Sequence, residues 1–370
     1  MTFLLSALAF VLLLSVLILI HEWGHFAAAR RAGVVVEEFG FGLPPKVKVL
    51  FRKRGTEFTF NWIPFGGFVR LRGENALTEK ERVSKGSFGA ATIWQRVMIL
   101  SAGVFMNFIL ALVLLMFGFS VGKWVPTYSS LEEMQAAAEK GVIHVELGVI
   151  IEDVVSGGTA AKTGVPEKSV LLRVDGIPII DPADVMHIQA GKKRVTYDLL
   201  IGEDFSEEVS MTVPLEDGKS GILVALFPRT LSSPDRTLWT AFTLALREVW
   251  VMTKQTVLGI SHLFHSLAVS GRVPEGITGL VGIAQLTYAS VQQGFMVYLR
   301  LVALLSLSLA VLNILPFPAL DGGRLLFVFA ELIRRRPVNR RFELTVNAIG
   351  FFFLLSVIFI ITFYDIVRLF

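Results

Sequence analysis

Four stretches of the chain carry no charge over a length that lets an α-helix cross a hydrocarbon core, about 20 residues. They are residues 3–20 (apolar again, beyond a short polar interruption, to residue 29), 97–121, 301–320 and 344–364. The region between the second and third is far more polar. There, short apolar runs at 147–155, 170–174, 177–180, 195–201 and 209–213 predict strands, with a short helix at 183–190 and turns at Gly157-Gly158, Gly164, Gly176 and Pro178. A folded module, separate from the spans, is expected over 123–230.

Two segments follow neither pattern. Residues 34–73 hold period-2 runs at 56–62 and 68–71, punctuated by Pro44-Pro45, Pro64 and Gly66-Gly67. That predicts β-hairpins, and non-helical backbone beside spans is tolerated where protein buries it or it lines a cavity. Residues 74–87 are charged and read as a loop. Residues 237–268 are rich in Trp, Leu and Val, but Arg247, Glu248 and Lys254 interrupt them, as in a helix lying at an interface.

The expected fold is therefore a polytopic α-helical membrane protein with four transmembrane helices, a membrane-associated β-hairpin element and one α+β domain. Its parts are a first span (1–33), the β-rich loop (34–91), a second span (92–122), the inserted domain (123–230), interfacial helices (231–295), a third span (296–333) and a fourth (334–370).

Composition agrees with a membrane protein, at 53% hydrophobic residues with 30 phenylalanines. The basic residues are concentrated between spans one and two, with Arg30, Arg31, Lys46, Lys48 and Arg52 among them, and between spans three and four, at Arg334, Arg335, Arg336, Arg340 and Arg341. Basic loops stay cytoplasmic. Both termini and the insert then face the other side. The net charge of +4 is topology, with no basic stripe on a nucleic-acid module, so no nucleic-acid partner is expected. The first run lacks a positive n-region and is followed by Arg30-Arg31, the reverse of a secretory signal, although Ala27-Ala28-Ala29 resembles a cleavage site. Cysteine is absent, so any metal must use nitrogen and oxygen donors.

Chemistry enters at His21-Glu22-Trp23-Gly24-His25, at the end of the first apolar run. H-E-x-x-H on a helix sets two histidines at i and i+4 on one face, a zinc-holding spacing. Ionisable groups at the bilayer centre cost about 2.5–3.5 kcal/mol on insertion scales. Catalytic zinc takes three protein ligands, and the third candidate lies in the run from Asn313 to Gly323. Pro316 and Pro318 break the third span there before Asp321-Gly322-Gly323. Alone, Asp321 reads as a helix-end carboxylate near Arg324; with His21 and His25 it reads as the oxygen ligand. Glu22 would then take a proton from the attacking water and pass it to the leaving amine. Asn313 would bond the substrate backbone or the developing oxyanion. Asn107 is either helix-packing glue or a contact in the site. Gly66 and Gly67 are candidate substrate contacts on a β-rich element whose edge can pair with an extended peptide. His144 and His187 are isolated, and His262 and His265, three apart as a metal pair could be, have nothing acidic beside them.

These residues resemble the site-2 protease family, in particular bacterial regulated-intramembrane-proteolysis enzymes of the RseP type. The likeness covers nearly the whole chain. The stretch from Asn313 to Gly322 is similar to the family's N-x-x-P-x-x-x-L-D-G pattern. Phe39–Pro44 is similar to its G-F-G-P stretch with Leu43 intervening, and Asn61–Gly67 to the strand and P-x-G-G turn that follow. Residues 147–213 resemble one PDZ domain. Departures are Val104, in Gly103-Val104-Phe105-Met106-Asn107, and Leu280, each standing where relatives carry proline. The resemblance implies Zn2+ and a bacterial inner membrane location. It also implies single-pass membrane substrates, anti-sigma factors or signal-peptide remnants, that receive here the second cut. The PDZ domain would filter substrates by size or capture peptide C-termini. Alternatives are a catalytically inactive PDZ-bearing scaffold and a transporter, which also uses broken helices but builds them in paired repeats.

Overall fold

The computed structural model describes residues 2–74, 78–202, 205–274 and 276–368. The chain divides into two units. One comprises residues 1–122 with 236–370, and the other residues 123–235.

The first unit opens with helix α1 (Thr2–Arg31), strands β1 (Val36–Lys53) and β2 (Thr56–Leu71), a single turn α2 (Glu79–Arg82) and helix α3 (Ile93–Ser120). Helix α3 starts at a capping box: Thr92 accepts from the Gln95 backbone N–H and Gln95 returns the bond to Thr92. β1 and β2 form an antiparallel sheet that folds back on itself. Residues 38–41 lie between 57–60 on one side and 67–70 on the other, while 46–53 pair with 56–61. Buried Glu38 ties the layers together, contacting Lys46 at 2.9 Å and Arg70 at 3.1 Å and accepting from Thr59 Oγ1.

The second unit holds α4 (Leu131–Glu139), β3 (His144–Val154), α5 (Thr159–Thr163), β4 (Val170–Val174), β5 (Ile177–Pro178), α6 (Pro182–Gln189), β6 (Arg194–Ile201), β7 (Glu207–Pro214) and β8 (Ile222–Ser232). Its sheet is antiparallel, in the order β7-β6-β4-β3-β8 with β5 on β4. Val149, Ile151, Leu171, Val174 and Leu199 fill the core. Tyr197 is buried among them, yet its hydroxyl donates to Ser220 Oγ at 2.7 Å and accepts from Gln189 Nε2 at 2.6 Å. Burial pushes its phenol up to about 12. The boundary expected at residue 230 falls inside β8, because Pro228 interrupts the apolar run without ending the strand. An edge strand tolerates proline.

The chain then returns to the first unit as α7 (Leu238–Ser270), α8 (Leu280–Gln293), α9 (Phe295–Ile314), α10 (Asp321–Arg334) and α11 (Arg340–Val367). Among the described residues four helices are long and apolar enough to cross a membrane: Phe3–Arg31, Ile93–Ser120, Phe295–Ile314 and Arg340–Val367. Helix α3 packs against α1, α7, α9 and α10 and so stands at the centre of this unit. Leu13, Leu17, Leu301 and Val302 form one of its apolar cores.

The third span expected over 296–333 is two helices. Residues preceding proline avoid the α region, and Leu315 turns to ψ 141° before Pro316, ending α9. The freed backbone finds other partners. The N–H of Phe317 donates to Leu315 and that of Leu320 to Phe317, while the N–H of Ala319 donates to Asn347 Oδ1 on α11. Such irregular backbone is sustained only where protein satisfies it.

Candidate metal centre

Helix α1 brings His21 and His25 to one face, as the i, i+4 spacing requires. Asp321 is the first residue of α10, where the positive end of the helix dipole favours a carboxylate. The three meet. His21 Nε2 lies 3.0 Å from Asp321 Oδ2, His25 Nε2 lies 3.2 Å from the same oxygen, and the two ring nitrogens are 3.1 Å apart. Both histidines are buried, and the Asp321 side chain is 14% exposed.

Whether a cation fits is decided by the donors' protonation. His25 Nδ1–H donates to the Ile99 carbonyl at 2.8 Å, which leaves its Nε2 as a lone pair. A ligating histidine characteristically spends its other nitrogen in this way. The other ring nitrogen of His21 faces the side-chain amide of Asn107 at 3.5 Å. Asn107 is fully buried and, among the described residues, its Oδ1 has no partner. A half-turn of that amide presents Oδ1 to Nδ1–H, gives the orphaned oxygen a partner, and frees Nε2 of His21 as well. Two lone pairs and a carboxylate oxygen then face one another within the ~3.3 Å edge of a tetrahedron of ordinary Zn–N length. Anion and lone pairs repel at that distance unless a cation stands among them. Gly103 of α3 closes the other side. A Cβ added there would lie 2.4 Å from His25 Nε2 and 2.8 Å from His21 Nε2, so any side chain would fill the space the donors converge on. Among the described residues His21, His25 and Asp321 form the one metal-capable cluster.

The triad opens on a cavity of about 380 Å³. Glu22 and Asn313 line it, together with Phe68, Val69 and Leu71 of β2. Glu74 and Arg324 also line it, and pair with each other at 2.5 Å. Asn107 stands behind His21 and does not line the cavity. Gly66 and Gly67 are not in its lining either; they run beside α1, against Ile18 and Leu19 respectively. Two features of the centre are invisible in the chain's order: the partnership of Asn107 with His21 and the closing position of Gly103. The Gly103–Asn107 spacing, one helical turn, is the signal that could have pointed to them.

The model of Peptidase family M50 matches residues 9–357. A Clostridium perfringens protein is 30% identical over 364 residues, covering 96% of this chain and 97% of its own. Zinc metalloprotease RasP of Bacillus licheniformis is 27% identical, and the regulator of sigma-W protease RasP of Bacillus subtilis 26%. Each alignment spans 445 positions and covers 99% of both chains. The chain belongs to peptidase family M50, the site-2 proteases, and is a membrane zinc metalloendopeptidase.

Proposed function

We propose that this protein hydrolyses peptide bonds within the transmembrane segments of single-pass membrane proteins, at a centre held by His21, His25 and Asp321 with Glu22 as general base. The convergence of three donor atoms within 3.0–3.2 Å on one side of a cavity lined by Glu22 carries this reading.

When bound, zinc supplies Lewis acidity, polarising the scissile carbonyl and making water a better nucleophile near neutral pH. Glu22 takes the proton of the attacking water and returns it to the departing amine, so no net proton is consumed. The Asn313 amide donates to the substrate backbone or to the developing oxyanion. The substrate's own helix hides its carbonyls and must unwind first. The outer edge at residues 67–70 of β2, which among the described residues carries no further strand, offers the unwound strand main-chain partners, and Phe68 and Val69 there line the cavity. Gly66 and Gly67 lie at the start of that edge, where a bound strand would run past Glu22. We assign the hairpin to the membrane face on this basis.

The basic residues in the two connections assign those connections to the cytoplasm and both termini and the insert to the outer side of a bacterial inner membrane. We read the insert as a PDZ domain that screens substrates by size or holds exposed peptide C-termini. Anti-sigma factors and signal-peptide remnants, reached as a second cut, are the substrate classes proposed, since one relative carries sigma-W regulation in its name.

The test is cleavage of a purified transmembrane model substrate with and without chelator. Activity should vanish with chelator, return with zinc, and fall about 10²–10⁴-fold in Glu22→Gln. Cleavage at an undiminished rate in Glu22→Gln would overturn the mechanism. Unimpaired cleavage after proline substitution at Val69 would remove the strand-pairing step.

A further inference from the structure

On the far side of α1 from the catalytic cavity, a groove of about 470 Å³ runs between the helix and the β1–β2 sheet. Its floor is aromatic. Trp23 and Phe26 come from α1, and Phe41, Phe51 and Phe58 from the sheet. The rings touch in sequence, Trp23 to Phe26 at 5.1 Å between centroids, Phe26 to Phe58 at 5.8 Å, and Phe58 stacked on Phe51 at 4.5 Å. Trp23 is nevertheless 49% exposed and Phe51 50%.

The groove's remaining lining is Arg30, Lys53 and Arg54, with no acid. That is unlike most of the sheet. Lys46, Arg52, Arg70 and Arg72 each lie against a carboxylate of Glu38, Glu57 or Glu37. Among the described residues Arg30, Lys53 and Arg54 have no carboxylate partner. Arg30 instead donates to the Arg54 carbonyl and Thr56 Oγ1, and its guanidinium lies 5.9 Å over the Phe26 ring. Those bonds fix the β1–β2 turn at the end of α1 and hold the cations together.

Polarity is thus ordered along the helix axis. Trp23 and Arg30 are seven residues apart, about 10 Å of rise, with rings at the deeper end and cations where α1 leaves the membrane. A phospholipid presents the same sequence of chemistry, acyl chain and then phosphate, in the same direction. We propose that this groove binds one anionic phospholipid, its chain on the aromatic floor and its phosphate against Arg30, Lys53 and Arg54. This rests on the membrane setting of α1 and is independent of the assigned proteolysis.

The test is native mass spectrometry of the full chain in detergent, after exposure to phosphatidylglycerol, to phosphatidylcholine of the same chains, or to inorganic phosphate. One phosphatidylglycerol should remain bound, in preference to phosphatidylcholine. The double variant Lys53→Gln/Arg54→Gln should weaken retention on the order of 20-fold, at about fivefold per basic residue. The control Arg31→Gln/Lys48→Gln removes the same charge outside the groove and should leave retention unchanged. Phe51→Ser should lower it without altering the charge. Equal loss in both doubles would reduce the effect to general surface charge and overturn the proposal. So would equal retention of phosphatidylcholine, binding of inorganic phosphate as tight as that of the lipid, or displacement of the lipid by an acidic juxtamembrane peptide. Should the double variant fail to fold, Arg54→Gln alone carries the same comparison.

Discussion

Helix α1 presents His21 and His25 from an unbroken run of 30 residues, whereas Asp321 reaches them from the first residue of a helix that resumes after an interruption. The two routes place their donors by different physics. In α1 the backbone satisfies itself, and donor spacing follows from 3.6 residues per turn. At the break, position is dictated from outside: Asn347 of α11 accepts the Ala319 N–H, and the turn from Leu315 to Leu320 is held by its own short bonds. A regular helix can set the spacing of a pair of donors with no help from outside. A third ligand arriving from a different direction needs a kink and a neighbour to hold it.

The largest expected effects separate donor from base. Asp321→Asn should leave purified protein with little zinc by elemental analysis and no cleavage. Glu22→Gln should keep its zinc and lose about 10²–10⁴-fold in rate. If the zinc content of both variants fell alike, Glu22 would belong to the donor set and the division of labour would collapse. Gly103→Ala comes next. Its methyl would occupy the space between the two Nε2 atoms, so zinc should be lost with helix content by circular dichroism preserved.

Asn107 sharpens the α1 side. Removing its acceptor in Asn107→Leu should weaken zinc binding about 10–100-fold by competition with a chelator, while Asn107→Asp, which keeps an acceptor for His21 Nδ1–H, should bind zinc nearly as wild type. On the break side, Asn347→Ala strands the Ala319 N–H and should cost about 1–3 kcal/mol in unfolding experiments, with partial loss of zinc because Asp321 follows two residues later. An Asn347→Ala protein as stable and as zinc-replete as wild type would show that the break holds itself.

The smallest effect lies outside this comparison, in the insert. The Lys192 ammonium 2.6 Å away and the Thr196 N–H hold the Asp175 carboxyl below its usual 3.8. A depressed carboxylate contributes stability above its unfolded pKa and loses it as pH falls through the folded value. Asp175→Asn should therefore destabilise the insert at pH 7, by no more than about 1 kcal/mol for so exposed a pair. Calorimetry should find the difference shrinking as pH falls below 3.8 and lost once the folded-state carboxyl is protonated.

What was legible in the chain divides along the same line. His21, Glu22 and His25 could be read from spacing alone, because a helix converts sequence interval directly into direction. Asp321 was legible as a candidate donor only through the oddity of prolines inside an apolar run, and its meeting with His21 across 300 residues is a tertiary fact. Asn107 left two readings open because an amide in a span bonds whatever its neighbours offer, and that neighbour was unknown. The double pairing of residues 38–41 was equally hidden, since period-2 patterning names strands without naming partners. In the insert, Pro228 obscured β8. Residues 131–139 carry too little apolar periodicity to announce α4, which has no buried residue.

That 300-residue separation also orders events during synthesis. A nascent chain whose first span is already inserted has both histidines and the glutamate in place while most of the polypeptide is still to be made. It lacks its third donor until the ribosome has passed residue 321, by which point about six-sevenths of the chain exists. On the proposed reading an unfinished chain therefore carries only an incomplete centre, and activity can begin only once residue 321 has been made.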